Sequence, residues 1–356
     1  MDRILRRPHD PPHPRRQAQP LYLQAADPHH YRTHRPRPHL ATLLRKCNGY
    51  GYRSRGSGVT HSSDFLFVPA ATPIAREAGA LLREYYRRGV ATEYKGDVDL
   101  VTEADRASEK LIVEHLGQVF PDHGVYGEEG TRSQLTNEYR WYIDPLDGTT
   151  NFAHGFPVFC VSMGLEHRPA SLAPEEDGEI VAAIIYDPLR DELFTAERGR
   201  GAFLNGAPIH ASRTPHLAES LVATGFPSRK RHDNPNIHFY QEFTLRSHGV
   251  RRAGSAAIDL AYVACGRLEA FWEFNLNPWD TSAGSLLVTE AGGSMSGFTG
   301  EAFRLDSREV LATNGLIKNE MVKLFADLFE GRIVDPIPTP AEFAARRKAA
   351  AQGSKS

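Results

Sequence analysis

Cysteine is nearly missing from this chain. Cys47, Cys160 and Cys265 are three in number and far apart in 356 residues. An odd, scattered set excludes a disulfide framework and a cysteine-based zinc site. Such usage fits a reducing compartment, and a cytoplasmic location is expected. Long apolar runs are also lacking: none approaches the roughly 18 residues that a membrane-spanning helix needs, so an integral membrane protein is excluded. Nor is there an excess of one charge, since 42 Lys and Arg face 44 Asp and Glu for a net charge of -2. What remains is 40% apolar and 24% charged, the balance of a soluble globular protein.

That near-neutral balance conceals two kinds of sequence. Residues 1–64 carry 12 Lys and Arg against 4 Asp and Glu, a charge of +8, whereas the rest carries -10. The same stretch holds 7 of the 16 His and 8 of the 24 Pro. Segments such as Arg35-Pro36-Arg37-Pro38-His39 cannot bury enough surface to offset chain entropy. Residues 1–66 are therefore expected to be a disordered basic extension. Three roles stay open for it: contact with nucleic acid or another anionic surface, targeting, or a stretch upstream of the true start. Residues 336–356, rich in Pro, Ala and Lys, are expected to form a loose C-terminal tail.

Between these ends, 67–335 reads as one domain. Thr72-Pro73 has the form of an N-cap and first helical residue, and Gly89 of a helix stop. Ile74, Ala78, Leu82 and Tyr85 mark one face of that helix. Thr102-x-x-Asp105 has capping-box spacing and opens a second helix. Strand patterns follow at Trp141–Ile143, Phe159–Leu165, Ile180–Tyr186 and Glu192–Ala196. Asn205-Gly206 between apolar residues predicts a type I′ hairpin. Further helices are predicted from Ser255 to Gly266, Asp280 to Gly292 and Lys318 to Phe329, separated by strands at Ala270–Phe274 and Val310–Ala312. Helices, then strands, then a mixture argue a layered α/β or α+β domain.

One segment concentrates chemistry: Trp141-Tyr142-Ile143-Asp144-Pro145-Leu146-Asp147-Gly148-Thr149-Thr150-Asn151-Phe152. A short apolar strand delivers Asp144 and Asp147, which can converge on hard cations with the Leu146 carbonyl as a further oxygen ligand. Gly148 lets the backbone approach a ligand, and the amides of Gly148 and Thr149 can hold phosphate oxygens. The same residues also make ordinary Asp-Pro and Asp-Gly turns. Glu128 and Glu129 sit between glycines and would otherwise be a solvated turn. Asp105 and Asp280 each stand where a helix cap is wanted. Taken together, these carboxylates suit Mg²⁺ with retained waters, and no His/Cys spacing favours zinc.

Lys95-Gly96-Asp97 through Asp105, Gly127-Glu128-Glu129, DPLDGTTNF at 144–152, GSAAIDLAYVACGRLEAFWE at 254–273 and WDTSAG at 279–284 occur in that order. In these motifs the chain resembles the inositol monophosphatase family of lithium-sensitive, Mg²⁺-dependent sugar-phosphate phosphatases, over about 67–330. The resemblance implies a layered α-β-α-β-α sandwich, a homodimer, and two to three Mg²⁺ per site. It implies Glu128, Asp144 and the Leu146 carbonyl as ligands of a first ion, and Asp144, Asp147 and Asp280 of a second, with Glu128 near a third. It assigns phosphate to Gly148 and Thr149, and the acid that partners the Thr149 hydroxyl to Asp105. Glu273 with Gly254, Ser255 and Ala256 falls where the family meets substrate hydroxyls. No ligand position is substituted, which argues for a working enzyme.

The function so implied is hydrolysis of inositol monophosphate, or a related polyol or sugar phosphate, by metal-activated water. Histidinol-phosphate phosphatase, fructose-1,6-bisphosphatase and nucleotide 3′-phosphatase remain alternatives within enzymes. Thr150-Asn151, where some of those branches carry Lys, favours the inositol branch. A relative that binds RNA or RNA polymerase is the alternative from another class.

Overall fold

The computed structural model describes residues 67–89, 92–94, 100–172, 178–226 and 235–332, with a few more near 341–345. The basic extension expected at 1–66, and nearly all of the tail expected at 336–356, lie outside the described residues.

The first helix, α1, spans Phe67–Arg88 and starts five residues before the expected Thr72. Two contacts distant in sequence explain this. The Val68 N–H donates to Glu197 Oε1 at 2.8 Å, which caps the helix from a strand 129 residues away. Phe67 packs its ring on Phe120, His123 and Tyr139. Pro73 therefore lies inside the helix, where it has no N–H for the Pro69 carbonyl. The stop is as expected, with Gly89 at φ +72°.

A two-stranded pair, β1 (Thr92–Tyr94) and β2 (Leu100–Thr102), leads into α2 (Glu103–Val119), whose capping box is Thr102 with Asp105. Then come β3 (Gly124–Gly127), β4 (Arg132–Ser133), β5 (Tyr139–Asp147), the short α3 (Thr149–Ala153), β6 (Cys160–His167), β7 (Glu179–Asp187), β8 (Glu192–Glu197), β9 (Ala202–Leu204) and β10 (Ala207–Ile209). Asn205 and Gly206 join the last two with φ +49° and +81°, as the hairpin reading requires. The second half holds β11 (Leu221–Thr224), α4 (Asn236–Arg246), β12 (Gly249–Arg251), α5 (Ala256–Ala264), β13 (Ala270–Phe274), α6 (Pro278–Glu290), β14 (Ser294–Ser296), β15 (Glu309–Thr313) and α7 (Lys318–Phe329). Helix α6 begins two residues before the expected Asp280, because Asn277 is its N-cap and Pro278 its first residue. The strands β1 to β4, β11, β12 and β14 and the helices α3 and α4 were not predicted. Those strands are at most four residues long, too short for a period-2 signal.

Strands β10-β9-β8-β7-β6-β5-β3-β4 form one sheet, antiparallel except for the β3–β5 pair. A second sheet runs β12-β11-β13-β15-β14, with β12, β11 and β13 parallel. Alternation along the strands decides which layer each side chain enters. Trp141 and Ile143 of β5 join α1 and α2, while Tyr142 faces α5 and α6. Phe271 of β13 points to the same middle layer, and Ala270 and Trp272 point out to α4 and α7. The order is thus α1/α2, large sheet, α5/α6, small sheet, α4/α7: the α-β-α-β-α sandwich expected from the sequence.

Candidate active site

The two aspartates of the central motif share a side because the strand is irregular. In a regular strand, residues three apart point to opposite faces. Here Asp144 pairs with Ser162 but Asp147 with Cys160, so β5 carries one residue more than β6 across this interval. That bulge, built around Pro145, which has no N–H for the ladder, turns both carboxylates into one site. Each is then held by a different element. Asp144 Oδ1 accepts from the Leu146 N–H at 3.0 Å. Asp147 Oδ2 accepts from Ser255 Oγ and the Ala257 N–H, both at 2.7 Å, so it rests on the N-terminal turn of α5.

Gly148 follows at φ +102°, and a Cβ there would meet the Val158 carbonyl at 2.8 Å. Only glycine fits that turn. It starts α3, so the amides of Gly148 and Thr149 have no intrahelical acceptor. Thr149 Oγ1 lies 3.0 Å from Asp105 Oδ1 and 3.1 Å from the Leu146 carbonyl, with one proton to give. Asp105 Oδ2 is occupied by the Thr102 N–H at 2.8 Å and the Thr102 hydroxyl at 2.5 Å. Burial raises the Asp105 pKa, and these donors oppose the rise.

Glu128 follows β3, and its N–H donates to the Ile143 carbonyl at 3.0 Å, one residue before Asp144. Asp280 is the third residue of α6, not its N-cap, and Oδ2 takes the Asn277 N–H at 2.7 Å. The carboxyls sense one another. Burial and then Glu128, Asp147 and Asp280 hold Asp144 well above the ordinary range. Burial raises Asp147, with Ser255 and the α5 amides opposing. Asp280 is pushed up to about 8 by burial and by the Asp147 charge. Glu273, on β13, is likewise pushed up to about 8 by burial, then by Asp259 and Asp147, with Arg252 opposing. Its place depends on Gly225, where a Cβ would come within 1.9 Å of Glu273 Oε2.

The structure therefore brings Asp105, Glu128, Asp144, Leu146, Asp147, Thr149, Ser255, Ala256, Glu273 and Asp280 into one connected region, with Gly148 and Gly254 in its turns. Among the described residues, no three Asp, Glu, His or Cys side chains already close on one point as a metal cage. Carboxylates that raise one another's pKa repel until a cation enters, and hard cations complete their shell with carbonyls, waters and phosphate oxygens. The donor set is all oxygen, which fits such a cation. Cys160 is fully buried, its pKa pushed well above normal by burial, so it is no thiolate nucleophile.

Sequence reasoning missed three supports. Asn151 Nδ2 donates to the Val158 and Ala253 carbonyls, both at 2.8 Å, tying α3 to the segment before α5. Ser108 Oγ donates to the Pro145 carbonyl at 2.9 Å. Asp259 is buried one turn into α5, and its Oδ1 has no partner among the described residues. A signal was present for Asn151, inside the DGTTNF run, and for Asp259, inside GSAAIDLAYVACGRLEAFWE, but none for Ser108.

The profile of the inositol monophosphatase family matches residues 67–330. The chain belongs to that family. It is 43% identical to an inositol monophosphatase 2 of Solanum lycopersicum over 266 residues, 72% of this chain and 96% of the relative. It is 44% identical to the Nus factor SuhB of Pseudomonas aeruginosa over 67% of this chain and 88% of that one. The solved inositol monophosphatase of Anabaena (Nostoc) superposes with a TM-score of 0.64 at 40% identity, covering 73% of this chain and 95% of that one. The family acts on small phosphate substrates and is generally metal-dependent. Among the described residues no helix is long and apolar enough to cross a membrane.

The raised carboxyls carry a prediction. An acid whose pKa is about 8 when folded, against 3.8 ordinarily, binds a proton in the folded state that the unfolded state has already lost. Folded stability then declines as pH rises between those values. The metal-free protein is therefore expected to melt at lower temperature at pH 8.5 than at pH 6, and Mg²⁺ should raise Tm more at the higher pH. Melting curves in EDTA and in Mg²⁺ test this. A metal-free Tm that climbs from pH 6 to 8.5 would refute the charge arrangement.

Proposed function

We propose that this phosphoric monoester hydrolase cleaves inositol monophosphate, with myo-inositol 1-phosphate as first choice, or a closely related polyol phosphate. The observation that carries the reading is one site with two parts: the clustered carboxyls of Glu128, Asp144, Asp147 and Asp280, in which the other three raise the pKa of Asp144, and the Thr149–Asp105 pair beside them. In this reading Glu128, Asp144 and the Leu146 carbonyl would hold one Mg²⁺, and Asp144, Asp147 and Asp280 a second, with Glu128 beside a weaker third. When bound, Mg²⁺ supplies Lewis acidity and positive charge for attack by water and departure of the alcohol. The amides of Gly148 and Thr149 orient the phosphate oxygens. Thr149 Oγ, its own proton directed at Asp105, accepts the proton of the attacking water and passes one on to Asp105. The water oxygen forms the new P–O bond, the ester P–O bond breaks in line, and the leaving alkoxide takes a proton from solvent. Glu273, Gly254, Ser255 and Ala256 receive the polyol hydroxyls.

Inhibition by lithium, a homodimeric assembly and a cytoplasmic location belong to the same proposal, and the domain is taken as 67–335. The resemblance to a Nus factor supports a second reading, in which the +8 segment at 1–64 engages RNA or RNA polymerase. Phosphate release with Mg²⁺ separates the readings. Myo-inositol 1-phosphate should exceed fructose 1,6-bisphosphate, histidinol phosphate and a 3′-phosphonucleotide in kcat/KM, and LiCl at tens of millimolar should inhibit. No release from any of them would overturn the enzymatic reading.

Substrate choice has its own test. At pH 9, above the raised pKa of about 8 where Glu273 is ionised, Glu273→Gln keeps the shape but loses a charge-assisted acceptor, worth about 1.5–3 kcal/mol. The polyol substrate should lose about ten- to a hundredfold in kcat/KM. An aryl phosphate without those hydroxyls should lose little, and equal losses would move Glu273 into the phosphate machinery.

A further inference from the structure

Helix α2 contributes more to this site than Asp105. One turn further along the same face, Glu109 is 4% exposed. Its carboxylate points into the turn between β3 and β4, which carries Glu128. Oε2 accepts the Glu129 N–H at 2.7 Å. Oε1 accepts the Thr131 N–H at 3.0 Å and the Thr131 hydroxyl at 2.6 Å. The turn closes on itself through the Gly127 N–H to the Thr131 carbonyl at 2.9 Å. Room for the carboxylate exists because residue 127 is glycine: a Cβ there would meet Glu109 Oε2 at 2.4 Å. Outside the turn, the Arg132 guanidinium lies 3.7 Å from the Tyr126 ring centroid and donates to the Gly127 and Thr131 carbonyls.

Nothing in the reaction needs Glu109 itself, since all three donors to it come from the turn. Burial of a carboxylate is costly unless its lone pairs are used. Here they are used on a segment whose remaining job is to present Glu128 to Asp144. The adjacent Ser108 fixes the Pro145 carbonyl at 2.9 Å, so one face of α2 grips both loops that bear the acids.

We propose that Glu109 is a positioning residue for metal binding: through the Glu129 and Thr131 donors it sets the 127–131 turn so that Glu128 faces Asp144. The proposal rests on the metal-site reading above. Outer partners of metal ligands typically control affinity by about 10–100-fold. Glutamine at this place can satisfy one set of donors, but its amide N–H₂ then faces the other. The experiment measures Mn²⁺ binding to the full chain by calorimetry and, separately, kcat against Mg²⁺ concentration, for wild type and Glu109→Gln. Affinity is expected to fall about 10–100-fold, while kcat at saturating Mg²⁺ falls far less. Gly127→Ala, which crowds the carboxylate without removing it, and Thr131→Val, which removes one donor, should shift affinity the same way. Leu324→Ala, in α7 on the outer layer, is a control for lost stability and should bind Mn²⁺ as wild type does. Affinity within about twofold of wild type in folded Glu109→Gln overturns the proposal. If that variant does not fold, unchanged affinity in both Gly127→Ala and Thr131→Val does so instead. A wild type that binds no Mn²⁺ and needs no metal overturns the metal-site reading itself, a separate result.

Discussion

Asp144→Asn should lower kcat by at least about a thousandfold, roughly 4 kcal/mol of barrier, while the metal-free protein melts no lower than wild type. The two effects share one cause. Asp144 lies 2% exposed at the bulge, with Glu128, Asp147 and Asp280 all raising its pKa. In the proposed site it is the single side chain common to both ions, so losing its charge weakens both. The same loss relieves repulsion when no cation is present. Asparagine keeps an oxygen for the Leu146 N–H, which Asp144 Oδ1 accepts at 3.0 Å, so the loop retains its shape. Steady-state rates at saturating Mg²⁺ and melting curves in EDTA check the pair of outcomes. Retention of more than about a tenth of kcat, a change below ~1.4 kcal/mol, would remove Asp144 from its shared role.

Thr149→Val should cost about a hundred- to a thousandfold in kcat with metal affinity nearly unchanged. Valine copies the shape and deletes the hydroxyl that stands 3.0 Å from Asp105. Positioned proton transfer contributes about 10²–10⁴-fold, and that contribution is what the substitution removes. Thr149→Ser should restore most of the rate. Valine is also a cleaner probe than Asp105→Asn, because Asp105 closes the α2 capping box through the Thr102 N–H at 2.8 Å and losing a cap costs about 1 kcal/mol in itself. Rate and Mn²⁺ affinity measured together decide the matter. A parallel loss of both would place Thr149 in the metal site.

The local parts of this arrangement were legible in the sequence. Thr102-x-x-Asp105 announced a capped helix, Asn205-Gly206 a hairpin, and Gly89, Gly266 and Gly292 helix ends, because those signals are carried within a few residues. The acids were legible as a set because each acidic segment holds a glycine or a helix start, Asp144 sharing the segment of Asp147-Gly148. What stayed hidden depends on partners far along the chain. The start of α1 is set by Glu197 and by Phe120, His123 and Tyr139. Asp144 and Asp147 face the same way only because β6 pairs with β5 one residue short. Glu109 and Gly225 matter through contacts with Thr131 and Glu273, 22 and 48 positions away, and no spacing rule reaches that far.

The helix-start acids have a consequence for reading other members of the family. Asp105 and Asp280 each accept the N–H that precedes their own helix, and Asp147 accepts from the first turn of α5. Selection for folding alone would preserve all three in a descendant that had given up the reaction. Asp144 takes only the N–H two residues ahead of it, and Glu128 is presented by a turn that Glu109 holds through its backbone neighbours. With the metal site proposed here, a lineage drifting away from catalysis would show it first at 128 and 144, and those two positions, rather than the full acidic set, would be the ones by which to sort working enzymes from silent copies.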